Sequence, residues 1–512
     1  MISYNFEIMD SYDLVVIGSG AGLSVLNTGL QMGIKCALIE DTKIGATCLT
    51  RGCIPSKILV HPADLIREAQ HAKKIGIDFT LNNIDWNLIA KRMWNQIDES
   101  KKMEQGLSGI PNLKLFRGVG EFIGEYKMEV KDVNTGESLG KFKGERFIIA
   151  SGGRPLIPPI EGIEDVGYVT NMSFFGEKFP EKPWDSLIVI GGGVIAAEFA
   201  HMFSSFGTDV SIVEMLPRLV ATEEPEISSF LEHNFQKVMT VLTNKKAVKA
   251  RKEGNLKIIV LEDMKTGEKS EVKGEEILVA AGRRSNTDKL KIENTGVQTD
   301  RRGWVITNKY LETSKKNIWC LGDANGKYQF RHKANYEAEI VANNVFAPPE
   351  HKKSADYSSV PWAIFTWPQI GHVGMTQQEA IDNGHEIYVA IKQYSTVAKG
   401  YAMGYDQNDD DDGFVKLIVD KSYRILGAHI VGPNAAILIQ PFVYLMNSGY
   451  TCQMPDLPPE SDIPKLARAC PEGGSFMPIY KSMVIHPSLN EVTGWAIGSL
   501  RPVNIKMEHS HH

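Results

Sequence analysis

Two cysteines stand five residues apart in "GATCLTRGCIPSK", Gly45 to Lys57, in a 512-residue chain that holds only six. Thiols this close can exchange electrons, share a soft metal ion, or rest as buried neighbours. In a regular α-helix, residues five apart have Cα atoms roughly 8.7 Å apart. A disulfide needs them within about 7 Å. Joining Cys48 to Cys53 would therefore require an irregular turn, for which Gly52 supplies the backbone freedom. Pro55 suits the first turn of a following helix, which places Cys53 near a helix N-terminus, where a thiolate is stabilised. Pro62 falls deeper in that helix and predicts a kink near Ile58 to Pro62. A zinc site would want two further cysteines or histidines as a spaced pair, and none stands out, so no metal is expected.

The elements that must position these thiols announce themselves by period. "DLVVIGSGAGLSVLNTGLQMG" followed by "KCALIE" is a strand, a glycine turn, a helix and a second strand. The same grammar recurs about 170 residues later in "SLIVIGGGVIAAEFAHMFSSFG" and "DVSIVE". Such βαβ units place a pyrophosphate at the helix N-terminus. Gly18 allows the tight turn and Gly20 the approach of a phosphate, while Glu40 ends the second strand, where a carboxylate accepts hydrogen bonds from a ribose. Leu23 occupies the place of the third glycine, which predicts an altered helix–strand packing distance. In the second unit Gly191, Gly193 and Ala196 complete the pattern, and Glu214 follows. A carboxylate there suits the free 2′-hydroxyl of NAD and repels the 2′-phosphate of NADP. Arg218, close in sequence, complicates this preference unless it simply faces solvent.

Composition narrows the class. With 43% hydrophobic and 23% charged residues the chain is ordinary for a globular protein of several domains. A net charge of −6 without a basic block argues against nucleic acid as a partner. The apolar run from Leu187 is too short to span a bilayer and ends in Glu198, so no membrane partner is expected. "MISYNFEIMD" does not read as a secretory signal, and sparse cysteines suit a reducing cytoplasm, where a close pair is more often catalytic or metal-binding than structural. Linker signals lie at Gly152 to Gly162 and Phe346 to Ser359. Beyond them "GFVKLIVD" and "ILGAHIVG" read as antiparallel strands and "AILIQPFVYLMNSG" as helical. The acidic run from Asp409 reads as a solvated turn, and Cys36 and Cys320 as small core residues.

"GATCLTRGCIPSK" resembles the redox-active segment of the pyridine nucleotide-disulfide oxidoreductases, the flavoprotein family containing dihydrolipoamide dehydrogenase and glutathione reductase. The resemblance continues through "IIASGGRP", "AAGRRSNT", "IWCLGDA" and "HPSLNE", in the family's order from about Tyr12 to Leu500. The implied fold is α/β: two Rossmann-like nucleotide-binding domains, for FAD and NAD, plus an α+β C-terminal dimerisation domain. On this chain the FAD domain would take residues 1–155 and 284–355, the NAD(P) domain 156–283 and the dimerisation domain 356–512.

The resemblance assigns roles residue by residue. Gly18, Gly20, Glu40, Thr47, Gly152, Gly282, Gly322 and Asp323 match cofactor-binding positions, with Asp323 suited to the ribityl hydroxyls of FAD. Cys53 matches the thiol nearest the flavin and Cys48 the outer thiol that exchanges with substrate; the two would form the redox disulfide. Lys57 and Glu198 match the pair beside the isoalloxazine. His486 matches the acid–base histidine and Glu491 the carboxylate that orients it, with His486 reaching the active site of the other subunit of a homodimer.

Within the family, Glu214 and Val194, which stands where glutathione reductases carry a tyrosine lid, favour a dihydrolipoyl dehydrogenase acting on the lipoyl-bearing protein of a 2-oxoacid dehydrogenase or glycine cleavage system. "GSGAGL" and "FRHKANYEAEIVANN" instead look closer to mycothione reductases, which act on a small thiol disulfide. Mercuric reductase and large thioredoxin reductase fare worse, because no cysteine pair follows Cys470. A non-catalytic redox sensor finds no support, since every reactive position is filled. The stretch 454–482 looks longer than the family usually has and reads as a surface excursion rather than a lid.

Overall fold

Strands buried on both faces need helices on both sides, and the two glycine-turn units supply them. The computed structural model describes residues 9–420, 424–448 and 481–486. Leu14–Ile17 and Cys36–Glu40 are buried at every position and pair in parallel, Val16 opposite Leu38. They sit inside a five-stranded parallel sheet ordered Ile318–Cys320, Phe147–Ile149, Leu14–Ile17, Cys36–Glu40, Leu113–Arg117. Its first strand comes from far beyond the other four, so the chain leaves this unit and returns to complete it.

Between departure and return lies a second parallel sheet, ordered Thr240–Leu242, Asp209–Val213, Ser186–Ile190, Glu276–Val279. The C-terminal sheet is antiparallel throughout: Pro361–Ile364, Ile370–Gly374, Ile425–Val431, Phe414–Asp420, Ile387–Gln393. The mixed α/β architecture, with two Rossmann-like parallel sheets and a separate C-terminal sheet, is the one the sequence motifs imply.

Two local outcomes differ from expectation. Helix packing against the first sheet does not suffer from Leu23, because Gly22 makes the close approach instead: a Cβ there would lie 2.9 Å from Val16 Cγ1 and 3.0 Å from Ala150 Cβ. Pro62, where a kink is expected, lies inside the helix Cys53–His71. The acidic turn is not simply solvated. Lys74 Nζ lies 2.7 Å from Asp409 and 2.6 Å from Asp411, and buried Asp412 accepts hydrogen bonds from Ser395. Cys36 and Cys320 are buried strand residues, as read; burial pushes the Cys36 thiol up to about 11. Among the described residues no helix is long and apolar enough to cross a membrane.

The largest core joins the first unit to the second. Helix Cys53–His71 contributes Leu59, Val60 and Ala63, and helix Val194–Ser205 contributes Ala197, Phe199, Ala200 and Phe203. Phe203 stacks on Trp184 at 4.9 Å and meets Phe174 edge-on at 5.7 Å. Phe203→Ala removes a fully buried ring at this junction and should cost about 3–5 kcal/mol. The check is a lowered thermal unfolding midpoint; an unchanged midpoint would place the anchor of the two helices elsewhere.

Candidate active site

A short helix, Ala46–Thr50, carries Thr47 and Cys48, and a second begins at Cys53. Gly52 closes the turn between them. A Cβ there would stand 2.9 Å from the Thr47 carbonyl oxygen and 3.1 Å from its Cγ2, so no larger residue fits without displacement. The sulfurs of the two cysteines lie with a His486 ring nitrogen inside a 4.8 Å cluster. Cys53 is the first residue of its helix, where unpaired backbone N–H groups favour an anion. The hydrogen bond from Cys48 pulls the Cys53 thiol down to about 6, with burial opposing and the positive charges of His486 and Lys57 assisting.

Lys57 follows Cys53 by one helical turn and so shares its face. Its Nζ lies 2.8 and 2.7 Å from the two carboxylate oxygens of Glu198, a buried residue and the only carboxylate on its helix. The Phe365 amide donates to Glu198 Oε1 at 3.1 Å, and Lys57 Nζ stands 4.5 Å from the centre of the Phe365 ring. Three separate segments thus meet at one carboxylate.

On the other side of the thiols, His486 Nε2 is 3.1 Å from Cys48 Sγ. Within the one chain described, His486 thus stands beside Cys48. The physical reason is the anchoring of the preceding residue. Ile485 is buried in the core of the C-terminal sheet with Ala363, Ile430, Ile439 and Val443, which leaves His486 facing the thiols. The His486 amide donates to His332 Nδ1 at 3.3 Å, and His332 Nε2 donates to the Pro361 carbonyl oxygen at 2.6 Å. Sequence reasoning missed His332. Its only signal was a histidine inside a helix of charged residues, with no spacing that linked it to Cys48. Glu491, expected to orient His486, lies outside the described residues, as do Cys452, Cys470 and most of 454–482.

The same cavity, of about 1240 Å³, runs from Gly18 and Glu40 past Thr47 and the thiols to Gly191, Gly193 and Glu214. Gly152, Gly282, Gly322 and Asp323 line it too, so every expected cofactor position falls on its wall. Gly18 has φ +104° and a Cβ there would lie 2.3 Å from the Ala150 carbonyl oxygen; Gly191 repeats this at φ +115° and 2.4 Å from Ala280. Glu40 accepts from the Ser19 amide at 2.8 Å and the Thr42 amide at 2.9 Å. Glu214 accepts from the amides of Gly192 and Leu216. Asp323 pairs with Arg283 at 3.2 Å, and Gly322 is held by Glu337 Oε2 at 2.7 Å.

The donor set fits a dinucleotide. Arg51 Nε, Arg283 Nε and Ser151 Oγ are buried on the cavity wall without a hydrogen-bond partner among the described residues. A volume above the usual range of about 300–1,000 Å³ for one small ligand suits two cofactors meeting at the thiols. Arg218 does not line the cavity; the cations beside Glu214 are Lys245, tied to Asp263 at 2.7 Å, and exposed Lys246.

Comparison with known proteins agrees with this geometry. Residues 12–338 match the model of the pyridine nucleotide-disulphide oxidoreductases, and residues 360–457 that of their dimerisation domain. The chain is 33% identical over 448 residues to the mycothione reductase of Mycobacterium tuberculosis, covering 86% of this chain and 94% of that protein. It is 30% identical over 508 residues to the dihydrolipoyl dehydrogenase of Chlamydia muridarum, covering 97% of each. Among solved structures, the copper(II) complex of the HOCl-induced flavoprotein disulfide reductase RclA from Escherichia coli superposes with a TM-score of 0.74 at 25% identity, over 96% of this chain and all of that one. The chain belongs to the pyridine nucleotide-disulphide oxidoreductases, FAD-dependent enzymes that use a pyridine nucleotide and a redox-active disulfide.

Proposed function

We propose that this enzyme is an NAD(H)-preferring dithiol–disulfide oxidoreductase of the dihydrolipoyl dehydrogenase type, working in the cytoplasm as a homodimer on a protein-borne lipoyl group. The observation that carries the chemistry is His486 Nε2 at 3.1 Å from Cys48 Sγ, with Lys57 and Glu198 on the far side of Cys53. Support for the lipoyl reading comes from Glu214, whose carboxylate suits NAD, and from relatives of that name that match along nearly the whole chain. The second reading, reduction of a small thiol's disulfide, is favoured by the mycothione reductase likeness. Steady-state assays with lipoamide and low-molecular-weight disulfides, each with NADH and NADPH, decide between them.

Bound FAD supplies the electron path between the nicotinamide and the thiols. The chain's own steps are thiol exchange and proton transfer. In the reducing direction the Cys48 thiolate attacks an external disulfide, forming a mixed disulfide and expelling one thiolate, which takes a proton from His486. The Cys53 thiolate then attacks Cys48 Sγ, expelling the second sulfur as a thiolate that takes its proton from solvent, and closing the Cys48–Cys53 bond. Dihydrolipoyl oxidation runs the same exchange backwards, with His486 accepting the proton. Lys57, fixed by Glu198, keeps a positive charge beside Cys53 and the cofactor cradle.

The purified protein should carry FAD and show a larger kcat/KM with NADH than with NADPH. A protein that takes up no flavin would overturn the cofactor assignment, and a preference for NADPH would implicate Lys246. Cys48→Ser should lose disulfide turnover yet keep the long-wavelength thiolate-to-flavin absorption, whereas Cys53→Ser should lose that band. In reduced wild-type enzyme the band should grow as pH rises through about 6, because the Cys53 proton is released there. A midpoint near an ordinary thiol's would mean that its neighbours do not act on Cys53. Finally, mixing Cys48→Ser with His486→Gln subunits should restore activity, because in a dimer with shared sites the mixed dimer gathers both defects in one site and leaves the other whole; no recovery despite verified subunit exchange would show that His486 serves its own chain.

A further inference from the structure

We propose that Glu223, His372 and His429 form a site for one divalent transition-metal ion, best matched by zinc, where the second nucleotide unit meets the C-terminal sheet. One ligand atom of each residue lies within 4.8 Å of the others, and all three residues are buried. No spaced motif announces the site, since Glu223 and His372 are 149 residues apart and the two histidines 57. Strand register brings the histidines together. His372 stands directly opposite His429 on the neighbouring antiparallel strand, with Trp362 and Lys416 continuing the row on either side. Residues opposite one another in register share a face of the sheet. Glu223, just ahead of the helix Pro225–Gln236, meets that face from the second unit.

The outer nitrogens fix the tautomers. His372 Nε2 faces the Gly374 carbonyl oxygen at 3.0 Å, and His429 Nε2 faces that of Met375 at 2.9 Å. A carbonyl only accepts, so each neutral ring carries its proton on Nε2 and presents a lone pair at Nδ1. Burial, with His372 acting in the same direction, holds His429 well below the ordinary histidine range and keeps it neutral. The two Nδ1 atoms are 3.2 Å apart, and Glu223 Oε2 is 3.0 Å from that of His372. Three acceptors therefore gather at one point. An imidazole whose outer N–H is held by a carbonyl and whose inner lone pair is free is the common form of a metal-ligating histidine. Ligands about 2.0–2.1 Å from a tetrahedral ion stand roughly 3.3 Å from one another, close to these separations.

Charge favours a divalent ion over a single proton. Buried Lys416 lies 2.8 Å from Glu224 and 2.9 Å from Glu226, while among the described residues no lysine or arginine pairs with Glu223. The Trp362 indole donates to Glu223 Oε1 at 2.6 Å but brings no charge. Three carboxylates thus share one ammonium, and a buried carboxylate without a cation is costly. A proton would neutralise half of the excess. It would also serve the histidines poorly. A straight N–H···N bond would hold their ring centres roughly 5.5 Å apart, whereas the rings are perpendicular with centres 4.4 Å apart. None of the three residues lines the cofactor cavity, so the ion ties two units together and takes no part in the thiol chemistry.

The test is the zinc content of the holoenzyme, produced with added zinc and purified without chelator, its Cys48–Cys53 pair oxidised so that neither sulfur competes. We expect one zinc per chain. Its X-ray absorption should show nitrogen and oxygen ligands at about 2.0 Å and no sulfur at about 2.3 Å. Glu223→Gln keeps the side chain's shape and offers an amide N–H to His372 Nδ1, so it should fold, retain FAD and lose the zinc. His429→Gln should lose it as well. Each removes a ligand and should weaken zinc by more than the roughly 10- to 100-fold that loss of an outer partner costs. Added zinc should raise the thermal midpoint of the metal-depleted wild type and leave that of Glu223→Gln unchanged. If His429→Gln does not fold, Glu223→Gln and the wild-type spectrum decide. A wild-type enzyme that takes up no zinc would overturn the proposal and leave a proton at the centre. Sulfur ligation would overturn it too, as would zinc that survives Glu223→Gln, the result expected of an ion held by the terminal His509, His511 and His512.

Discussion

The Lys57–Glu198 ion pair is the constraint on which the site depends. Its nitrogen and carboxylate come from helices in two different nucleotide-binding units, and the Phe365 amide adds a segment of the C-terminal sheet to the same carboxylate. A buried pair of this kind contributes little net stability, since desolvation offsets most of the attraction. Removing one partner is another matter, because an uncompensated buried charge costs about 3–5 kcal/mol. The pair therefore acts less as a source of stability than as a condition of assembly: the three units must meet in one relative placement to satisfy it. The packing of Leu59, Val60 and Ala63 in one core with Ala197, Phe199 and Ala200 supplies the stability that holds the placement.

From that placement the division of labour follows. Cys53 opens its helix with Lys57 one turn below it, and the hydrogen bond from Cys48, aided by the charges of His486 and Lys57, pulls its thiol down to about 6. Cys48, on the short preceding helix, faces His486 instead. In the proposed mechanism negative charge is stabilised on the side of the ion pair, while protons are handled on the side of the histidine. Gly52 keeps the two thiols adjacent, because the close contact with Thr47 leaves no room for a side chain.

Much of this was legible in the sequence because it is local. The glycine turns, the strand-end carboxylates Glu40 and Glu214, the irregular turn at Gly52 and the helix start at Cys53 all follow from short-range rules. Lys57 follows from helical period once Cys53 is placed. Glu198 carries no local signal, being the only carboxylate on its helix, and only the likeness to a family singled it out. His332 was invisible for the same reason in stronger form, since the amide it faces lies 154 residues away. Leu23 misled because the fingerprint assigns close packing to a fixed position, whereas the backbone here makes its approach at Gly22. Arg218 misled because nearness in sequence to Glu214 is not nearness in the cavity, which Lys246 reaches from a different strand.

The two fingerprints also show that one motif can answer to two demands. Gly18 and Gly191 are required by the chain itself: each has a positive φ, and each would drive a side chain into a carbonyl oxygen of the neighbouring crossover. Gly20 and Gly193 answer to no such demand. A Cβ on Gly193 would meet nothing within 4 Å, and one on Gly20 would find its nearest neighbour 3.6 Å away, an ordinary contact. Both line the cavity. A glycine that the fold does not need, placed where a phosphate must approach the backbone, is there for the ligand. The same pattern of letters thus encodes a turn at its first position and a binding surface at its second.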